Sequence, residues 1–278
     1  MKFDHNGICV EIPGQDKISD VHRVHSYPIE ERGGLLWIWM GDPALADESQ
    51  IVDYPYHDDP VKWPHRKAMF QIKSNYMLMI DNLMDLTHLG YVHGRTIGGN
   101  PLQHVGADMD SHKTEKGAYF IRWMMEHDPP PTYQKGGQFT GKVDRWQEFE
   151  YVGPSIVLQW SGALAVGQKA QEDREKDGFH LRLLHAATPE TETTFHYFWS
   201  TANGYRQDDP ATTQEMYDEI YPTFIEDKVI MEAQQERINL NPERDLVEIH
   251  ADSVLALARL SLDELVEQAN AQMAQAAE

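Results

Sequence analysis

The chain has 278 residues, a hydrophobic fraction of 41% and seven tryptophans, enough to bury a sizeable core as one large domain or as a large domain with a smaller companion. Its net charge of −21 leaves little surface able to neutralise phosphates, which argues against a nucleic-acid partner. Cys9 is the single cysteine, so an intrachain disulfide, a four-cysteine zinc site and a cysteine-ligated iron–sulfur cluster are excluded within these residues.

Residues 1–45 are short and strand-like: "KFDHNGICVEIP" turns at Asn6-Gly7, and "GGLLWIWMGDP" is a Trp-rich run closed by Gly41-Asp42-Pro43. Trp37 and Trp39 alternate with Ile38 and read as packing residues. This piece cannot bury a core alone, and it reads as the end of a domain whose beginning is absent. The apolar run is too short to span a bilayer and no signal peptide opens the chain, so the expectation is a cytoplasmic protein with no membrane partner.

After the short strand "KAMFQIKS" a helix is expected over residues 75–93. Strand-like segments then alternate with turns: "AYFIRWMMEH", "RWQEFEYV", "SIVLQWSGAL", "GFHLRLLHAAT" and "TTFHYFWSTA". They read as one antiparallel sheet. Arg122, Arg145 and Arg182 lie on these strands, where the plain reading is a solvated side chain and the functional one a bidentate carboxylate anchor. Next come a long helical stretch from Ala211 with Pro222 as its one break, and a closing helix behind Ser261, which forms a capping box with Glu264. The expected class is α+β, a curved antiparallel sheet with helices packed on one face.

The stretch "DNLMDLTHLGYVH", residues 81–93, sets Asp85 and His88 one turn apart on a helix. His88 and His93 are about 140° apart around it, too far to share an ion unless the helix unwinds locally, and Gly90 between them tolerates such a distortion. Two neutral imidazoles favour zinc, iron, copper or nickel, and a carboxylate would complete a facial triad. On spacing alone, two core histidines bonded to backbone remain the plainer reading. Met77, Met79 and Met84 read as core filler or as an adaptable pocket wall.

The run Asp85-Leu-Thr-His88-Leu-Gly-Tyr-Val-His93 resembles the mononuclear-iron motif of Rieske-type non-haem iron oxygenases, and "NYMLMIDNLMDLTHLGYVH" is similar to the O-demethylase branch of that family. "KFDHNGICVEIPGQ" resembles the stretch that follows the second Cys-x-x-His pair of a Rieske domain, "EERGGLLWIWMGDP" its end, and "LLHAATPETETTFHYFW" the strand pair flooring the pocket. "FIEDKVIMEAQQERI" resembles the late helix that supplies the third ligand. The resemblance implies a helix-grip (Bet v 1-like) catalytic domain over residues 46–278, preceded at 1–45 by a strand-rich remnant of a Rieske domain.

By the same resemblance, His88, His93 and Asp227 would hold Fe(II). Asp85 would accept a histidine N–H and link the ligand to a neighbouring subunit's Rieske histidine in a homotrimer. Asn82 would lie close to the iron, and His185 would hydrogen-bond the substrate. The activity implied is O2-dependent O-demethylation of an aryl methyl ether, with electrons from NAD(P)H through a reductase or ferredoxin partner. Neither Cys-x-His nor Cys-x-x-His occurs in the chain, so the [2Fe–2S] ligands of the full-length protein are not here, and the chain by itself is expected to be inactive. Ring hydroxylation or cis-dihydroxylation by the same site is the alternative chemistry. A non-catalytic helix-grip protein that binds a hydrophobic ligand is the alternative of another class.

Overall fold

The computed structural model describes every residue except 245, 246, 248, 277 and 278, and it divides into two units, Met1–Asp58 and Asp59–Glu278. In the first, β1 (Lys2–Phe3) pairs with β2 (Cys9–Glu11), and β3 (Ile29–Arg32) with β4 (Leu35–Ile38), both antiparallel. Gly7 sits at φ +75°, and a Cβ there would lie 2.4 Å from the Val24 carbonyl oxygen, so the turn requires glycine. The alternation expected in the Trp-rich run is present. Leu36 and Ile38 are exposed, whereas Trp37 is half-buried and donates its indole N–H to the Arg32 carbonyl at 3.1 Å.

The second unit is built on a seven-stranded antiparallel sheet. Its strands are β5 (His65–Ile72), β6 (Asp108–Lys113), β7 (Gly117–His127), β8 (Val143–Val152), β9 (Ile156–Ala165), β10 (Phe179–Thr191) and β11 (Thr194–Asn203), in the order β5-β11-β10-β9-β8-β7-β6. Six of these follow from the alternating pattern. The seventh, β6, has the polar sequence "DMDSHK" and no apolar alternation to announce it; pairing along β7 makes it the edge strand.

One face of the sheet carries the main core, with Phe120, Phe149, Leu181, Leu183, Tyr197 and Trp199 all buried. Residues two apart on a strand share a face, which is how period-2 spacing becomes a continuous apolar wall. The same core takes in buried side chains of α1 (Met77–Met84), α5 (Pro210–Leu240) and α6 (Ser253–Ala276). Three shorter helices, α2 (Leu89–Val92), α3 (Pro101–Val105) and α4 (Pro131–Gly137), complete the unit. Met79 and Met84 are core residues, 0% and 2% exposed. A smaller cluster of Ile121, Trp146, Leu164 and Ala170 lies apart from the main core. The α+β expectation holds, and among the described residues no helix is long and apolar enough to cross a membrane.

Four local expectations are corrected. Residues 75–93 do not form one helix: α1 ends at Met84, Asp85 is extended at φ −119°, ψ 107°, a 3-10 turn covers Leu86–His88, and α2 follows. The break comes from Asp85, whose carboxylate accepts the Thr87 backbone N–H and the Thr87 hydroxyl, each at 2.8 Å; a side chain that satisfies nearby donors this way competes with helix continuation. Gly90 is accordingly not the point of unwinding. Its hydrogen faces α3, and a Cβ would meet Pro101 Cα at 2.4 Å.

Pro222 does not break α5, which runs unbroken from Pro210 to Leu240. Both Pro222 and Asp218, whose carbonyl loses its partner to the proline, are exposed, so water can take up the lost bond. Ser261 is no cap: it lies inside α6, is 4% exposed, and its hydroxyl sits 2.9 Å from the Leu257 carbonyl oxygen and 3.1 Å from that of Gly117. Glu264 pairs instead with Lys113 on β6. The three strand arginines are not solvated either, at 5%, 1% and 3% exposed for Arg122, Arg145 and Arg182.

Candidate metal centre and pocket

The two histidines converge downstream of the break at Asp85, across the short helical segment that carries both. After Asp85 the chain turns through the 3-10 segment, which carries His88, and the single helical turn of α2, which ends on His93. The His88 and His93 rings come to 5.3 Å between centroids, nearly perpendicular at 81°. Asp227 reaches them from the middle of α5. Its Oδ1 lies 3.0 Å from His93 Nε2 and 3.7 Å from His88 Nε2, and one ligand atom from each of the three residues lies within 4.8 Å of the others.

The outer nitrogens are held as well. His88 Nδ1 donates to the backbone carbonyl of Asp85 at 2.8 Å, and His93 Nδ1 to Glu226 Oε2 at 2.7 Å. Each bond fixes a tautomer that aims Nε2 inward. Burial lowers the pKa of His88, with the charge of Asp227 pulling against it. Burial also acts on His93, but its hydrogen bonds and charge contacts with Asp227 and Glu226 outweigh that and raise its pKa.

The segment after the second ligand is clamped from the sheet. Arg145 donates to the carbonyls of Ile97 and Gly98 at 2.8 and 3.3 Å and lies over the Tyr133 ring, 4.5 Å from its centroid. Arg122 donates to the carbonyl of His104 at 2.6 Å. These two guanidiniums hold loop backbone. Arg182 bonds the Leu181 carbonyl, pairs with Glu175 at 3.6 Å and lies over Trp63.

Between the ligands and the sheet lies a pocket walled by apolar side chains such as Leu83, Phe149, Leu183 and Phe224, with Asn82, Gln147 and Gln159 as its amides. Asn82 faces it from α1. The Oε1 atom of Gln147 is buried and has no hydrogen-bond partner among the described residues. His185 stands behind this wall, 1% exposed. Its Nδ1 takes the Tyr197 hydroxyl at 2.6 Å, its Nε2 donates to Gln159 Oε1 at 3.0 Å, and Gln159 passes a bond to Ser161 Oγ at 2.8 Å. Burial pushes the His185 pKa down to about 3, so the ring is neutral and both nitrogens are engaged by protein. Asp85 keeps its carboxylate on Thr87.

Glu226, Gln147 and Gln159 were not singled out from the sequence. The signal for Glu226 was its place beside Asp227 on a helix; for the glutamines it was a polar residue at an inward position of an apolar strand, as in "RWQEFEYV".

Residues 72–268 match the vanillate O-demethylase oxygenase C-terminal domain family. The chain belongs to that family. It is an oxygenase of the Rieske non-haem iron type. It is 37% identical over 272 residues to the toluene-4-sulfonate monooxygenase system iron-sulfur subunit of Comamonas testosteroni, covering 97% of this chain and 78% of that protein. It is 30% identical over 280 residues to the vanillate O-demethylase oxygenase subunit of a Pseudomonas species, covering 98% and 83%. A crystal structure of dicamba monooxygenase bound to 3,6-dichlorosalicylic acid superposes with a TM-score of 0.86 at 27% identity, covering 97% of this chain and 78% of that one. Another, with non-haem iron and dicamba, gives 0.71 at 25% identity, covering 97% and 77%. The donor set here, two imidazole nitrogens and one carboxylate oxygen with the pocket alongside, fits ferrous iron.

Proposed function

We propose that this oxygenase removes the O-methyl group of a small aryl methyl ether. The reaction consumes O2 and two electrons from NAD(P)H, inserts one oxygen atom into a methyl C–H bond, and yields a phenol, formaldehyde and water. The observation that carries the reading is the position of His88, His93 and Asp227 at the wall of a pocket whose other walls are mainly apolar, with three amides set among them. Ferrous iron held by these three residues supplies the activation of dioxygen.

The protein's own contribution is placement. Phe149 and Phe224 offer aromatic faces for a ring, and the three amides can orient its polar substituents. His185 acts on the substrate through Gln159, because it fixes which way that amide points. Burial of the pocket side chains excludes water from the reacting carbon. Asn82 faces the same space as the ligands and contributes a polar contact near the metal.

We assign residues 1–45 to the C-terminal part of a Rieske domain, whose [2Fe–2S] ligands lie outside these 278 residues, and 46–278 to the catalytic domain. A reductase or ferredoxin supplies the electrons, and Asp85 is the link to a Rieske histidine of a neighbouring copy in a homotrimer. Tyr91, Leu102 and Val105, 74%, 75% and 73% exposed on α2 and α3 beside the ligands, support a face covered by that copy. A cytoplasmic location belongs to the same reading.

The test is formaldehyde release from methoxylated benzoates by the iron-loaded chain, supplied with NADH, a reductase and a Rieske electron donor. Formaldehyde and the matching phenol in equal amounts are expected, with none when the donor is left out. A ring diol with the methoxy group intact would replace demethylation by dihydroxylation.

A further inference from the structure

Glu226 occupies a position that the ligand triad alone does not explain. It precedes Asp227 on α5, and successive helical residues project about 100° apart, so two neighbouring carboxylates would ordinarily diverge. Here both end on the same ring: Asp227 Oδ1 is 3.0 Å from His93 Nε2, and Glu226 Oε2 is 2.7 Å from His93 Nδ1. His93 fits between them because it is buried while Glu226 stays about half exposed. Glu226 therefore closes the outer side of the imidazole and keeps contact with water.

His88 is held differently. The acceptor for its Nδ1–H is the neutral backbone carbonyl of Asp85, which no substitution removes, whereas the acceptor for His93 is an ionisable side chain. A carboxylate behind a ligating imidazole fixes the Nδ1–H tautomer, locks the ring plane and makes Nε2 a stronger donor than a carbonyl does. We infer that Glu226 is a positioning residue for the metal centre: it orients and strengthens His93 as a ligand without touching metal or substrate, so the two histidine ligands are unequal. The inference rests on the reading of His88, His93 and Asp227 as the metal site.

The experiment uses the full chain and cobalt(II) as a spectroscopic probe, following its visible d–d bands during titration and measuring ferrous affinity by competition with a chelator. Glu226→Ala is expected to weaken metal binding by about 10- to 100-fold and to alter the cobalt bands. Glu226→Gln, which retains an oxygen acceptor of the same reach, should recover part of that loss. Should the alanine variant fail to fold, the glutamine variant carries the test, with an affinity below wild type expected. A merely structural role would lower thermal stability without metal yet leave affinity and cobalt spectrum unchanged, and that result would overturn the inference. If wild type takes up cobalt and the Glu226 variants match it, only this inference fails; if wild type takes up none, the metal-site reading falls and takes this one with it.

Discussion

The Nε2 atom of His93 lies 3.0 Å from Oδ1 of Asp227, although 134 residues separate them in the chain. The contact joins the short helices behind α1 to the long helix α5, with the pocket beside it. Substituting Asp227 removes the only ligand that α5 supplies to the triad. Asp227→Ala should cut iron content from about one per chain to near zero after desalting, measured by elemental analysis, with the far-ultraviolet circular dichroism spectrum retained. Full iron occupancy in that variant would remove Asp227 from the ligand set.

Asp85→Asn should leave iron content close to wild type and slow electron delivery severely in the assembled oxygenase. The amide still offers one oxygen to the Thr87 N–H, so the break after α1 survives at a cost of about 1 kcal/mol or less. Single-turnover kinetics with a reduced Rieske donor separate electron transfer from substrate binding. Wild-type turnover would exclude the link through Asp85.

Acid should destabilise the fold through His185. Its pKa is about 3 in the folded protein against 6.5 for the free side chain, so the unfolded state binds the proton more readily. The neutral ring's contribution is fully present above pH 6.5 and is lost as pH falls from there toward 3. Between pH 7 and pH 5 the loss is about 2 kcal/mol from this group. Urea unfolding at both pH values should show His185→Gln losing less than wild type by roughly that amount. Equal losses would mean that the ring is not held neutral.

Gln147→Leu separates stability from recognition. The substitution removes a buried oxygen that has no partner among the described residues, so the free protein should gain about 1 kcal/mol. Affinity for a methoxylated benzoate or phenol should fall, read as a rise in KM larger than any fall in kcat. A loss of stability above about 1 kcal/mol would show that the amide is satisfied in the fold.

Gly90→Ala should disturb the metal centre from outside it. The new methyl would meet Pro101 Cα at 2.4 Å, and neither backbone can yield without shifting the turn that carries the ligands. Destabilisation of about 1–3 kcal/mol is expected, together with reduced iron affinity. Unchanged thermal unfolding would mean that α2 and α3 are more loosely apposed than this contact implies.

Local pattern was enough for much of this molecule. Period-2 alternation placed six strands of the large sheet, because a half-buried strand writes its two faces into consecutive residues. It missed β6, whose polar residues are held by pairing with β7 and carry no such record. The histidine spacing and the late aspartate were legible through their resemblance to a known motif.

What no local pattern could supply was decided by long-range packing. An ideal helix put His88 and His93 too far apart to share an ion, yet their rings meet across the 3-10 turn and α2, where Asp227 arrives from α5. Whether Pro222 breaks a helix depends on whether water can take the freed carbonyl, and whether Ser261 caps one depends on the length of α6. That Glu226 braces His93 while His185 turns its nitrogens to Tyr197 and Gln159 follows from residues 133, 12 and 26 positions apart being brought within hydrogen-bond reach. Sequence spacing specifies which side chains share a face of one element; which faces meet is fixed by the order of strands in the sheet and the helices laid on it.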